Sequence, residues 1–183
     1  EALLRGADVV LVTGPTCLDA RDGVRTVPVR TTREMRDAVM AELDDLDVLV
    51  MAAAPADYRP VDVSPSKIKK SAERVSLELE RTEDILAEVG RRKRDGQVVI
   101  GFALETENET ANARRKLEEK GLDAIVVNNP GVPGAGFGGE TNVATIISRD
   151  GSESETGLVS KRELAAIILD SARPGGPTST ESS

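Results

Sequence analysis

The chain has 183 residues, 39 % hydrophobic and 31 % charged, and its 24 basic against 32 acidic side chains leave a net charge of −8. That length is a prior for one domain able to bury its own core, and the acidic balance argues against nucleic acid or an anionic membrane as the main partner. The absence of His and the single cysteine, Cys17, exclude a His-based triad, a His proton shuttle, mixed His/Cys zinc sites, intramolecular disulfides and CxxC chemistry.

In chain order, residues 1–5 followed by Gly6 read as the last turn of a helix with a glycine C-cap. The sequence thus opens in mid-element, and an upstream segment is expected. Short apolar, β-branched runs at residues 9–12, 48–51, 98–100 and 124–127 predict strands buried on both faces, as in a parallel sheet. Between them, Thr31 with Glu34 forms a capping box ahead of Met35, Val39 and Leu43. Thr82 is placed to cap a helix carrying Ile85, Leu86 and Val89, and Thr110 or Asn112 to start a charged helix running to Gly121. Residues 61–73 are polar and basic, a loop too long for a simple connector. Residues 142–148 and 155–159 predict a late hairpin or edge strands, and Ser160 with Glu163 caps a last helix through Asp170. The fold class is α/β, a doubly wound, Rossmann-like parallel sheet with helices on both faces, spanning residues 1–172, and residues 173–183 read as a disordered tail. No apolar run reaches the roughly 20 residues that span a bilayer and no signal peptide opens the chain, so a soluble, cytoplasmic, reducing setting is expected.

Five places could carry chemistry. Thr13-Gly14-Pro15-Thr16 follows the first strand at the rim where open α/β sheets bind ligands, although Gly-Pro punctuates ordinary turns too. The run from Met51 through Ala52, Ala53 and Ala54 to Asp57 ends a buried strand in small residues. It lets a flat ligand approach the backbone and sets a carboxylate at the sheet's carboxyl edge; Tyr58 is read as a core ring with its hydroxyl at the rim. Lys67-Ile68-Lys69-Lys70 concentrates positive charge suited to polyphosphate, with a solvated charge run as the alternative. Gly101-Phe102-Ala103, with Lys116 and Lys120 one helical turn apart, offers an aromatic platform and a cationic patch for a nucleotide; the alternative is a core Phe and two surface lysines paired with Glu119 or Glu105. Gly134, Gly136 and Gly139 match G-x-G-x-x-G, but Pro130 and Pro133 precede them and a strand follows, which argues against the dinucleotide fingerprint. Cys17 is read as a small buried hydrophobe with no base beside it.

Taken in order, Thr13 to Thr16, Thr32-Arg33-Glu34-Met35, Ala56-Asp57-Tyr58-Arg59-Pro60, Lys67 to Lys70, Thr82 with Asp84-Ile85-Leu86, Gly101 to Thr106, Lys116 to Lys120 and Asn128-Asn129 resemble the phosphopantothenate–cysteine ligase family. In bacteria this is usually the C-terminal half of a bifunctional coenzyme A biosynthesis protein, fused to a flavin-dependent decarboxylase. The resemblance implies ligation of 4'-phosphopantothenate to L-cysteine through an acyl-nucleotidyl intermediate, with CTP in the bacterial type, ATP in the eukaryotic type, and Mg2+ or Mn2+. It implies a nucleotide site of Met51, Ala52, Ala53, Asp57, Lys67, Glu83, Asp84, Ile85, Leu86, Phe102, Lys116 and Lys120, with Lys67 catalytic at the phosphates and Asn128 and Asn129 on the substrate side. It also implies a homodimer, formed partly through strands near Gly101 and Asn142, and a strand, a glycine-rich turn and an Asn that engages the acyl-nucleotidyl intermediate ahead of Glu1. A non-catalytic nucleotide-binding or regulatory domain, or another nucleotide-dependent α/β enzyme, is the alternative.

Overall fold

The computed structural model describes residues 1–19, 21–64, 66–67, 76–104, 109–128 and 139–172. The core is a five-stranded sheet in the order β10-β9-β7-β6-β3, built from β3 (Val48–Met51), β6 (Val98–Leu104), β7 (Ala124–Asn128), β9 (Ala144–Ser148) and β10 (Glu153–Glu155). β3, β6 and β7 run parallel, while β9 and β10 are antiparallel to their neighbours. The predicted parallel sheet with a late hairpin is therefore present. β1 (Val10–Thr13) pairs in parallel with β2 (Arg25–Pro28), β4 (Tyr58–Pro60) forms a small hairpin with β5 (Leu79–Arg81), and β8 (Thr141–Asn142) pairs with β11 (Val159–Ser160). Two expectations are thereby corrected. The 9–12 run is not a doubly buried strand of the main sheet, since among the described residues β1 pairs only with β2 and Leu11 is exposed, and the hairpin partner of β9 is Glu153–Glu155 rather than 155–159.

Alternation along the strands splits the core into two layers. One face of the sheet carries Met51, Val99, Ile125 and Val127, packed against α1 (Thr32–Glu42), α2 (Ile85–Arg92) and α3 (Glu109–Glu119) through Val39, Val89 and Leu117. The other carries Ile100, Val126 and Ile146, packed against α4 (Lys161–Ser171) through Leu164 and Ile168. Helices thus flank both faces. Val48 and Val50 remain partly exposed, which leaves part of the α4 face open next to β3. None of the helices among the described residues is long and apolar enough to cross a membrane.

Local signals account for most element ends. Gly6 closes the opening 3₁₀ turn (Leu3–Arg5) at φ 81°, donating its N–H to the Leu3 carbonyl. Ser160 and Glu163 form a complete capping box on α4. At α1 only half of the predicted box exists: the Thr31 hydroxyl accepts from Glu34 N, but the Glu34 carboxylate reaches back to Arg30 N instead of Thr31 N. Thr82 does not cap α2. Asp84 does, accepting from Ala87 N at 3.0 Å, while the Thr82 hydroxyl donates to the Ala56 carbonyl at 2.6 Å and so ties the small-residue run to the start of α2. α3 begins at Glu109, so Thr110 and Asn112 lie inside it. The tail beyond residue 172 and most of the basic loop lie outside the described residues.

Candidate functional site

The carboxyl end of β3 organises the site. Met51 is its last residue, buried and paired with Gly101 on β6; the chain then runs through Ala52 to Ala56 in irregular backbone. Side chains this small leave room on both sides, and the structure has a cavity on each.

On the α4 side lies a cavity of about 530 Å³ lined by Val50, Ala52, Phe102, Leu104, Asn128 and Asn142, with α4 as the opposite wall. It is mostly apolar. The Asn142 amide donates to Asn128 Oδ1 at 3.2 Å, and Asn142 Oδ1 accepts from Val143 N at 3.0 Å. The predicted aromatic platform, Phe102, and the predicted substrate-side residue, Asn128, therefore share one cavity.

On the other side is a cavity of about 690 Å³, lined by Gly14 after β1, by residues 29–33 leading into α1, by Ala53 to Ala56 and by Tyr58, Arg59 and Thr82. The turn after β1, singled out for its position at the sheet rim, does meet the small-residue run here. Arg33 Nε and Arg59 Nη1 each lie 3.7 Å from Glu83 Oε1, and Arg59 Nε donates to Glu80 at 2.7 Å. Glu83 Oε2 is buried and has no hydrogen-bond partner among the described residues. Its own backbone N–H first, then the charges of Arg59, Arg33 and Arg36, hold the Glu83 carboxyl below the ordinary carboxylate range.

The remaining predicted residues divide between the sheet faces. Ile85 is buried in the core, and Leu86 packs against Gly101, where an added Cβ would sit 3.2 Å from Leu86 Cδ1 and 2.8 Å from Leu122 Cδ1. Asp84 Oδ2 meets Lys120 Nζ at 3.0 Å, a partner not read from sequence; Glu119 pairs with Arg115, and Glu105 lies outside the described residues. Lys116 is half-buried on the same helix, α3. Phe102 and Lys120 do not converge in one pocket, because alternation turns Phe102 to the α4 face while α3 lies on the other. Asp57 is exposed at the edge, its carbonyl accepting from Thr82 N at 3.0 Å, and Lys67 is exposed. Asn129, Lys69, Lys70, Gly134 and Gly136 lie outside the described residues.

Two sequence readings are corrected. Cys17 is exposed, in a bend after β1 where no core is in reach. Tyr58 is 51 % exposed and lines the second cavity; its ring stands on the two-stranded β4–β5 hairpin, which among the described residues has no buried core layer packed over it. The arginines of the second cavity were missed as site residues. Their signal was present in the motifs, since Arg33 and Arg59 sit inside Thr32 to Met35 and Ala56 to Pro60.

The family model described as DNA/pantothenate metabolism flavoprotein C-terminal domain matches residues 1–174. The chain belongs to this family. Among curated relatives of this flavoprotein C-terminal domain, a "Cysteine/Cysteine sulfinic acid decarboxylase" from an unknown prokaryotic organism is 41 % identical over 169 residues, 92 % of this chain and 47 % of the relative. The coenzyme A biosynthesis bifunctional protein CoaBC of Bacillus subtilis is also 41 % identical over 169 residues, 92 % of this chain and 41 % of the relative. The chain thus spans less than half the length of these relatives. A crystal structure of the C-terminal domain of a CoaBC protein superposes with a TM-score of 0.76 at 39 % identity, covering 92 % of this chain and 74 % of that one.

Proposed function

We propose that this domain is a phosphopantothenate–cysteine ligase that uses CTP. In the first step, a carboxylate oxygen of 4'-phosphopantothenate attacks the α-phosphorus of CTP. The new P–O bond gives an acyl cytidylate as the α–β bridging bond breaks, and pyrophosphate leaves. In the second, the amine nitrogen of cysteine attacks the acyl carbon; the C–N bond forms, the C–O bond to CMP breaks, and the amine releases its proton to solvent. Neither nucleophile needs His, which suits a chain without one.

Both steps develop negative charge on phosphate oxygens, and preorganised cations stabilise such charge most where water is excluded. Lys67 is assigned the catalytic role at the departing pyrophosphate. Asp57, Met51 to Ala53 and Glu83 to Leu86 are assigned to the nucleotide, which would cross the carboxyl edge of the sheet, with Phe102 lining its base and ribose on the α4 face and Lys116 and Lys120 at its anionic end on the other. Asn128 and Asn129 are assigned to the acid substrate. Among the described residues no group of three or more acidic, His or Cys side chains could hold a metal ion, Glu83 is engaged by two arginines and Asp84 by Lys120. That leaves Asp57 as a lone carboxylate, which fits a magnesium or manganese ion carried chiefly by nucleotide phosphates; such an ion neutralises phosphate charge when bound. A homodimer, a cytoplasmic setting and fusion to a flavin-dependent decarboxylase half belong to the same proposal, the last supported by the word bifunctional in the CoaBC name. The dimer contact is assigned to strands near Gly101 and Asn142, where β6 runs on past its pairing with β3, which ends at Gly101.

The observation that carries the reading is the family match over residues 1–174 combined with two cavities flanking Ala52 to Ala56 at the carboxyl edge. The test is pyrophosphate release by the complete gene product carrying this sequence, given CTP, magnesium and 4'-phosphopantothenate without cysteine, with ATP in parallel. Release with CTP is expected. No release with either nucleotide from a folded protein overturns the ligase reading, and release with ATP alone overturns the CTP assignment.

A further inference from the structure

In a chain of net charge −8, the charged residues lining the cavity between Ala53 to Ala56 and the start of α1 are Arg30, Arg33 and Arg59, with no carboxylate among the described lining. A low-dielectric concavity with charge of one sign focuses potential on its contents, so this cavity selects anions although the molecule as a whole repels them. The three guanidiniums differ in commitment. Arg33 and Arg59 share Glu83 Oε1 at 3.7 Å each, beyond the range of a tight charge-assisted hydrogen bond, and Arg59 also donates to Glu80. These carboxylates lie outside the lining and hold both arginines in place from behind. Arg30 is exposed and its guanidinium makes no ion pair or hydrogen bond among the described residues. Only its backbone N–H is used, by Glu34. The α1 terminus itself is taken by its cap, since Thr31 accepts from Glu34 N, so the arginine side chains are what the cavity offers.

We infer that Arg30, Arg33 and Arg59 form a subsite for a phosphate ester, with Arg30 as the residue that determines specificity for it. Planar guanidiniums bind phosphate oxygens in paired hydrogen bonds, which a carboxylate-only ligand of lower charge uses less fully. The phosphate has two possible sources, the phosphomonoester of the acid substrate and the phosphates of the nucleotide; naming these as ligands rests on the ligase reading above, whereas the anion subsite does not. Glu83 serves as a positioning residue, an internal anion that keeps Arg33 and Arg59 aligned before a ligand arrives.

The experiment titrates the complete gene product with inorganic phosphate, 4'-phosphopantothenate, pantothenate and CTP by calorimetry, in wild type, Arg30→Gln and Arg33→Gln. Circular dichroism verifies the fold, which Arg30→Gln is expected to leave intact because the guanidinium makes no ion pair or hydrogen bond among the described residues. The expected result is at least a tenfold loss of affinity for one phosphate-bearing substrate in Arg30→Gln, pantothenate binding unchanged, and partial recovery in Arg30→Lys. Loss for 4'-phosphopantothenate assigns the subsite to the substrate's phosphomonoester, and loss for CTP assigns it to the nucleotide. Unchanged affinity for every phosphate ligand in both variants overturns the subsite, even where pyrophosphate release proceeds. Phosphate binding sensitive to Arg30 in a protein that releases no pyrophosphate keeps the subsite and overturns the ligase reading instead.

Discussion

Lys120 Nζ lies 3.0 Å from Asp84 Oδ2, so the carboxylate that caps α2 also anchors the end of α3. The same side chain thus performs two separable tasks: one oxygen accepts from Ala87 N and the other meets the ammonium. Asp84→Asn keeps a good N-cap and loses only the ion pair, which is half-exposed on the Asp side. Its stability is expected to match wild type to within about 1 kcal/mol. Asp84→Ala removes the cap too and is expected to cost about 1 kcal/mol more. Urea unfolding midpoints of the two variants measure the difference; equal midpoints would show that the cap contributes nothing.

α2 and the segment after α3 approach so closely at Gly90 that no side chain fits. A Cβ there would lie 1.8 Å from the Lys120 carbonyl oxygen, a backbone atom, with Gly121 at φ 64° on the other side of the contact. Gly90→Ala raises helix propensity by up to about 1 kcal/mol in an isolated helix. Here the enforced separation of the two elements is expected to outweigh that and destabilise by on the order of 3 kcal/mol. Thermal unfolding decides: a variant as stable as wild type would mean the two backbones are not in contact.

The β6 and β7 runs were legible because a strand buried on both faces is written as consecutive apolar residues; β3 reads the same way although Val48 and Val50 stay exposed on its α4 face, and the α4 cap was legible because Ser160 and Glu163 act within one turn. β2 and the β4–β5 hairpin were not. They are short, charged and carry Pro28 and Pro60, so no apolar periodicity marks them. Asp84 and Thr82 exchanged roles for a related reason: either can cap by residue type, and only the tertiary position of the Ala56 carbonyl assigns the Thr82 hydroxyl elsewhere. The arginine cavity is assembled from segments around residues 30, 55 and 82, a convergence that no local window contains.

Stability should be insensitive to pH near neutrality, where a chain without His has few groups titrating, and fall in acid. Glu88 is held below its ordinary value of 4.5 chiefly by hydrogen bonds from Arg36, at 2.7 Å to each oxygen, and Glu163 is lowered by the Ser160 hydroxyl. Because these carboxyls bind protons more weakly folded than unfolded, their contribution is complete above the unfolded value near 4.5 and is lost as pH falls through the lower folded values. Unfolding followed from pH 7 down to about 3 should show this slope, and Glu88→Gln should flatten it while lowering stability at neutral pH. A slope identical in the variant would remove Glu88 from the account.

Asn142 is expected to act on the substrate only through Asn128. Its side chain is buried, one end bonded to Val143 N and the other donating to Asn128 Oδ1, and both residues face the apolar cavity that also contains Phe102. In such a cavity a polar side chain left without its partner loses its fixed orientation and carries a desolvation cost on the order of 1–3 kcal/mol. Asn142→Ala should therefore lower stability and raise KM for 4'-phosphopantothenate while leaving kcat nearly unchanged, the pattern of lost uniform binding. If the effect passes through Asn128, the Asn128→Ala variant should show the larger KM, and adding Asn142→Ala to it should raise KM no further. Additive effects in the double variant would mean that Asn142 contacts the substrate itself. Unchanged KM in both single variants would move the acid substrate out of this cavity.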